Sequence, residues 1–134
     1  MIVVDTNVIG YLFLSGERSD QAEQALRKDH HWAAPLLWRS EFRNVLAGYL
    51  NRGMIGLEDA LQIVSEADEL MDGGEYEVGS GQVLRTVARS GCSAYDCEFV
   101  ALALDLNVPL VTVDKELLSR FPGICIGLRE FVSG

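Results

Sequence analysis

The chain has 134 residues, of which 49% are hydrophobic and 23% are charged, and this composition excludes disordered, collagen-like and low-complexity proteins. The length predicts a single domain over residues 1–134, and the longest stretch without an acidic or basic residue is too short for the roughly 17–25 residues of a membrane-spanning helix. The net charge is −9, but segment 53–84 has eight acids and no Lys or Arg. The rest of the chain is nearly balanced, so the charge does not exclude a nucleic-acid partner.

Short apolar runs predict strands, and apolar side chains at helical spacing predict helices between them. In chain order we predict a strand over Ile2–Val4, a helix from Asp5 or Thr6 to Leu14, a helix over Asp20–Lys28, an extended segment Trp32–Ala34, helices over Leu36–Asn51 and Leu57–Met71, a strand over Tyr76–Val78, helices over Ser80–Arg89 and Ser93–Leu106, a strand over Leu110–Val113, a helix over Asp114–Arg120, a strand over Ile124–Ile126 and a closing segment Leu128–Val132. This alternation predicts a parallel sheet with helices on both faces.

The three cysteines favour a reducing, cytoplasmic location. Cys92, Cys97 and Cys125 are odd in number and contain no C-x-x-C pair. This pattern fits neither a disulfide framework nor a zinc site. We therefore interpret them as small apolar residues.

Four acids stand at the ends of predicted elements. Asp5 and Asp114 follow the two clearest strands, whereas Glu41 and Asp96 lie near the starts of two helices. Ligands of open parallel sheets bind at the carboxyl ends of strands, where the strand order reverses. Four converging carboxylates without a basic partner predict a site for Mg²⁺ or Mn²⁺, which can activate water for attack on a phosphodiester.

Each acid also has a simpler structural interpretation. Asp5 and Asp114 could cap helices, Asp96 could complete a capping box with Ser93, and Glu41 could be an exposed residue near a helix start. Position in the sequence does not choose between these interpretations.

Three stretches resemble the PIN-domain ribonucleases. They are Ile2–Val8 (IVVDTNV), Ser40–Leu46 (SEFRNVL), and Tyr95–Ala103 (YDCEFVALA) followed by Pro109–Asp114 (PLVTVD). The resemblance covers nearly the whole chain in the order of the family. In size and layout the chain is most similar to the VapC-like toxins of bacterial and archaeal toxin–antitoxin pairs.

This resemblance implies a PIN-like α/β fold, a three-layer α/β/α sandwich with a short parallel sheet. It implies a metal-dependent endoribonuclease that hydrolyses RNA with water activated by Mg²⁺ or Mn²⁺, the substrates of the family being transfer RNA and ribosomal RNA. It also implies a homodimer and a small antitoxin protein as partner. The residues that match the catalytic, metal-binding and supporting positions of the family are Asp5, Glu41, Asp96 and Asp114, with Asn7 and Thr112 in support.

Some assignments rest on weaker patterns. Arg39 and Arg43 share a helix face, and either contact RNA or pair with acids elsewhere. Glu98 follows Asp96 by two positions on a helix, so we expect it to face away and to be peripheral. The apolar run Tyr11–Leu14 suggests a dimer interface unless the core takes it.

Three other classes of protein share features with this chain. An aspartyl phosphatase needs a D-x-D pair after the first strand, where this chain has Asp5-Thr6-Asn7. A phosphorylation-receiver domain needs a lysine at the end of a late strand, and Lys115 falls instead at a helix start. The serious alternative is a non-catalytic PIN-like binding module, which the presence of all four acids disfavours.

Overall fold

The computed structural model describes residues 1–134, which form five short strands and eight helices. The strands are β1 (Ile2–Val4), β2 (Trp32–Pro35), β3 (Glu75–Tyr76), β4 (Leu110–Thr112) and β5 (Cys125–Gly127). The helices are α1 (Thr6–Phe13), α2 (Ser19–Lys28), α3 (Trp38–Asn51), α4 (Leu57–Met71), α5 (Ser80–Ser90), α6 (Ala94–Leu106), α7 (Lys115–Arg120) and α8 (Leu128–Ser133). No helix is both long enough and apolar enough to cross a membrane.

All strand pairs are parallel, and the sheet order is β3-β2-β1-β4-β5. The chain moves outward from β1 through β2 to β3 and then crosses to β4 on the other side of β1. The strand order therefore reverses between β1 and β4, which is where open α/β sheets bind ligands. Val3 pairs with Leu110 and Val4 with Val111, so the two strands end side by side.

Helices cover the sheet in two packing groups. Helix α6 packs on α5 and lies against β1, β2 and β4, while α1, α2, α3, α4 and α8 form a second series of neighbours. The strands between them are buried, and residues such as Val3, Val4 and Val111 have no exposed surface. This arrangement confirms the predicted three-layer α/β/α sandwich.

All element boundaries agree with the sequence within two residues, and the two largest differences have local causes. Pro35 ends β2, and the next two residues form a turn, so α3 begins at Trp38 rather than Leu36. The prediction of a strand over Tyr76–Val78 was shifted, because β3 can pair only with the last residues of β2. At Gly74, just before β3, a Cβ atom would collide with the carbonyl oxygen of Trp32, so the close approach of the chain requires glycine.

Candidate active site

The ends of β1 and β4 bring Asp5 and Asp114 to the same edge of the sheet. The backbone N–H of Asp5 donates to the carbonyl of Val111 at 3.1 Å, which continues the strand pairing to the first acid. Thr112 joins the two acids: its Oγ1 donates to Oδ2 of Asp5 at 2.7 Å and accepts from the backbone N–H of Asp114 at 3.0 Å. Because Thr112 has no exposed surface, this connection is fixed within the core.

Glu41 reaches the same region from the first turn of α3. The hydroxyl of Thr6, the first residue of α1, donates to Oε1 of Glu41 at 2.7 Å. Thr6 is only 4% exposed, so it holds the flexible glutamate from a buried position. This hydrogen bond links two helices that are far apart in the sequence.

The structure tests the capping interpretations of Asp5 and Asp96. No side-chain hydrogen bond caps α1, so Asp5 is not a side-chain cap. At α6 the hydroxyl of Ser93 accepts from the backbone N–H of Asp96 at 3.1 Å, which is only half of the predicted capping box. Neither carboxylate is therefore used to cap a helix, although Oδ2 of Asp5 accepts from Thr112.

Asp114 is a cap as the simpler interpretation proposed. Its Oδ1 accepts from the backbone N–H groups of Glu116 and Leu117 at 2.9 and 3.2 Å. Because both bonds use one oxygen, Oδ2 has no hydrogen-bond partner in the protein. Capping α7 and facing the other acids are therefore compatible roles for Asp114.

Burial and mutual repulsion show that the four acids form one electrostatic group. Burial, partly offset by the hydrogen bond from Thr112, raises the pKa of Asp5, and the charge of Asp114 raises it further. Burial also raises the pKa of Asp96, as do the charges of Asp114 and Asp5. The pKa of Glu41 is raised by burial and by the charges of Asp5, Asp96 and Glu98, against the hydrogen bond from Thr6. The charges of Asp5, Asp96 and Asp114 thus each act on at least one other acid of the group.

The donor chemistry fits a hard divalent cation, although the carboxylates are not drawn together. No group of three or more His, Cys, Asp or Glu side chains is close enough to hold a metal ion. None of the four acids forms an ion pair with a basic side chain. A separated set of mutually repelling, unneutralised carboxylates is what such a cation would compensate.

Of the predicted supporting and RNA-binding residues, only Thr112 forms hydrogen bonds with the four acids. Thr112 contacts two of the acids, whereas Asn7 is exposed beside a groove along α1 and forms no side-chain hydrogen bond with them. Arg39 is held by Glu75, with N–O distances of 2.5 and 2.7 Å, so its surface-pair interpretation describes the structure. Arg43 is exposed and forms no ion pair.

Two residues near the site were undervalued in the sequence. Nothing in the sequence pointed to Thr6, because its partner Glu41 lies 35 positions away. Glu98 was expected to face away from the acids, yet it is half-buried and its charge acts on Glu41. Its own pKa is raised by burial. Asp96 and Glu98, two positions apart on α6, are thus both half-buried.

The cysteines and histidines offer no alternative chemistry. Burial raises the pKa of the Cys92 and Cys97 thiols, and raises that of Cys125 to about 12. A nucleophilic cysteine needs a lowered pKa instead. His30 and His31 are both exposed in the loop before β2.

Comparison with known proteins agrees with this geometry. The sequence matches the PIN domain family over residues 2–123. Ribonuclease VapC3 from Pyrobaculum aerophilum is 28% identical over 126 residues, which cover 92% of this chain and 96% of that protein. The crystal structure of PAE2754 from the same organism superposes with a TM-score of 0.77 at 20% identity, covering 98% of this chain and 86% of that one. A toxin–antitoxin complex from Klebsiella pneumoniae superposes with a TM-score of 0.67 at 18% identity, covering 96% of this chain and 98% of that one.

Proposed function

Because this chain belongs to the PIN domain family, we propose that it is a divalent-metal-dependent endoribonuclease. The observation that carries the proposal is the group of four carboxylates at the β1/β4 switch point, mutually repelling and without a basic partner. The similarity to Ribonuclease VapC3 supports RNA as the substrate.

In this proposal Asp5, Glu41, Asp96 and Asp114 hold Mg²⁺ or Mn²⁺. When bound, such a cation lowers the pKa of water and stabilises negative charge on a phosphodiester. The protein contributes fixed ligands: Thr112 orients Asp5, Thr6 orients Glu41, and the first turn of α7 holds one oxygen of Asp114. Each contact leaves the other oxygen of its carboxylate without a side-chain partner.

We further propose that the protein is the toxin of a toxin–antitoxin pair, acts in the cytoplasm, forms a homodimer and binds a small antitoxin. The name of the curated relative and the toxin–antitoxin complex among the structural neighbours support this biology. Tyr11, Leu12 and Phe13 are only half-buried in the single chain, which supports the helix α1 region as a dimer contact. Light scattering at working concentration tests the dimer, and a monomer would contradict it.

Cleavage of total RNA in Mn²⁺ and in EDTA tests the enzymatic proposal. We expect cleavage only in Mn²⁺, and expect Asp96→Asn to abolish it. Asp105→Asn is the matched control, because Asp105 is an exposed acid on the same helix and its replacement removes the same charge. Equal cleavage in EDTA, or cleavage by Asp96→Asn at the wild-type rate, would contradict the proposal.

The absence of a closed set of three acids favours one alternative, a non-catalytic binding module of the same fold. The two proposals differ in their affinity for Mn²⁺ alone. Calorimetric titration of the wild type with Mn²⁺ should show a site that Asp96→Asn weakens and Asp105→Asn leaves unchanged. Identical binding by all three proteins would favour the binding module.

A further inference from the structure

A groove with three cations in its lining lies next to the sheet edge that bears Asp5 and Asp114. Its volume is about 450 Å³, and its lining includes Thr112, the residue that donates to Asp5. Three cations also line it: Arg18, Lys115 and Arg129. They are separated by up to 111 positions in the chain, so only the fold brings them to one groove.

These three cations are not used in ion pairs. All are exposed, and Arg39 is the only Lys or Arg in the chain that pairs with a carboxylate side chain. Glu17 and Glu130 also line the groove, so its three cations exceed its two acids by one charge. The groove therefore has a small net positive charge on a chain whose total charge is −9.

The positions of the cations do not serve the stability of their helices. Arg18 directly precedes α2, Lys115 is the first residue of α7, and Arg129 is the second residue of α8. The helix dipole stabilises anions rather than cations at this end. Interaction with the helix dipole therefore does not explain why cations occupy these three positions.

Arg18 lies between this groove and the neighbouring groove along α1, which Tyr11 lines. Its Nη1 donates to the hydroxyl of Tyr11 at 3.0 Å, and its guanidinium carbon lies 5.5 Å from the centre of the Tyr11 ring. A cation over an aromatic ring keeps its charge while losing part of its freedom. Tyr11 thereby reduces the ordering cost of an anion contact by Arg18.

We propose that this groove binds the sugar–phosphate backbone of single-stranded RNA, with Arg18, Lys115 and Arg129 contacting phosphates beside the scissile bond. This inference rests on the proposed ribonuclease function. The acids repel a polyanion, so an approach path needs positive charge within a few residues of them. Lys115 directly follows Asp114, and Thr112 joins the groove to Asp5.

Salt-dependent binding of a labelled, unstructured RNA oligonucleotide tests the groove. Binding is measured by fluorescence anisotropy in EDTA, in an Asp96→Asn background, so that neither metal nor cleavage contributes. Lys115→Gln/Arg129→Gln is compared with Arg85→Gln/Arg89→Gln, which removes two exposed cations from α5. Each lost phosphate contact on a single strand lowers the salt slope by about 0.7, which is about fivefold in affinity at 0.1 M salt.

For the double variant Lys115→Gln/Arg129→Gln, we expect the slope of log affinity against log salt concentration to fall by about 1.4 and the affinity at 0.1 M salt to fall roughly 25-fold. Arg18→Gln alone should show a smaller loss. The α5 pair should keep the parental slope. Equal salt slopes in the two double variants would overturn the proposal that this groove binds RNA, even if the wild type cleaves RNA in Mn²⁺. If the wild type does not cleave RNA but the groove pair alone loses slope, the groove is supported and the proposed catalytic function is wrong.

Discussion

Replacing Thr112 by valine should destabilise the metal-free protein strongly, because one buried hydroxyl serves two acids. Valine keeps a similar shape but removes the 2.7 Å bond to Asp5 and the 3.0 Å acceptor of the Asp114 backbone N–H. A hydrogen bond to a charged group contributes about 1.5–3 kcal/mol, and an unpaired, partly buried N–H adds up to about 1 kcal/mol. We expect a total loss of about 2–4 kcal/mol.

The loss should depend on pH, and the sign follows from Asp5. Burial raises the pKa of Asp5 above its ordinary value of 3.8, and the bond from Thr112 acts against this rise. A group whose pKa is raised in the folded state loses stability as pH climbs from its unfolded pKa through its folded pKa. Without Thr112 the pKa of Asp5 rises further, so Thr112→Val should lose more stability over this range than the wild type.

Urea unfolding in EDTA, at about pH 4 and about pH 8, measures both effects. The full loss should appear at the higher pH, where a thermal melt should also show a fall in melting temperature of roughly 10 °C for a chain of this size. Thr112→Ser keeps the hydroxyl and is the matched control, which should retain the pH profile of the wild type. A loss below about 1 kcal/mol, or an equal loss at the two pH values, would refute the role given to this hydroxyl.

Three further predictions concern the same site. In EDTA, the Asp114→Asn variant should melt at a higher temperature than the wild type, and Mn²⁺ should raise its melting temperature little. The substitution removes a charge that acts on Asp5 and Asp96, while asparagine caps a helix about as well as aspartate. Melting shifts identical to those of the wild type would show that Asp114 does not belong to the metal site. Thr6→Val should weaken Mn²⁺ affinity roughly 10–100-fold in calorimetry through the released Glu41, and Thr6→Ser should restore it; unchanged affinity in Thr6→Val would be inconsistent with this role. Arg43→Gln should weaken RNA binding and reduce its salt slope more than Arg39→Gln, since Glu75 already neutralises Arg39; the reverse order would contradict this.

Local patterns in the sequence predicted the elements well, because each depends on neighbouring residues. The buried strand Ile2–Val4 and the helix Leu57–Met71 agree with the structure at both ends, and Ser93 caps α6 through the N–H of Asp96 as its spacing suggested. The alternation of strands and helices also determined that the sheet is parallel. Errors arose where an element depends on a distant partner, as at β3, whose length is limited by β2.

The sequence by itself thus determined the order of elements, the α/β class and the four acids at element ends. Only the tertiary structure decided how those acids are oriented and which cations stand beside them. The bond from Thr112 to Asp5 spans 107 positions, and that from Thr6 to Glu41 spans 35. The sequence made Arg39 a candidate for RNA binding, but in the structure it pairs with Glu75. Lys115 becomes a candidate only in the structure, where it lines the same groove as Arg129. Periodicity records which face of an element is buried, but the partner across a packed interface depends on strand order and helix placement, which no local pattern encodes.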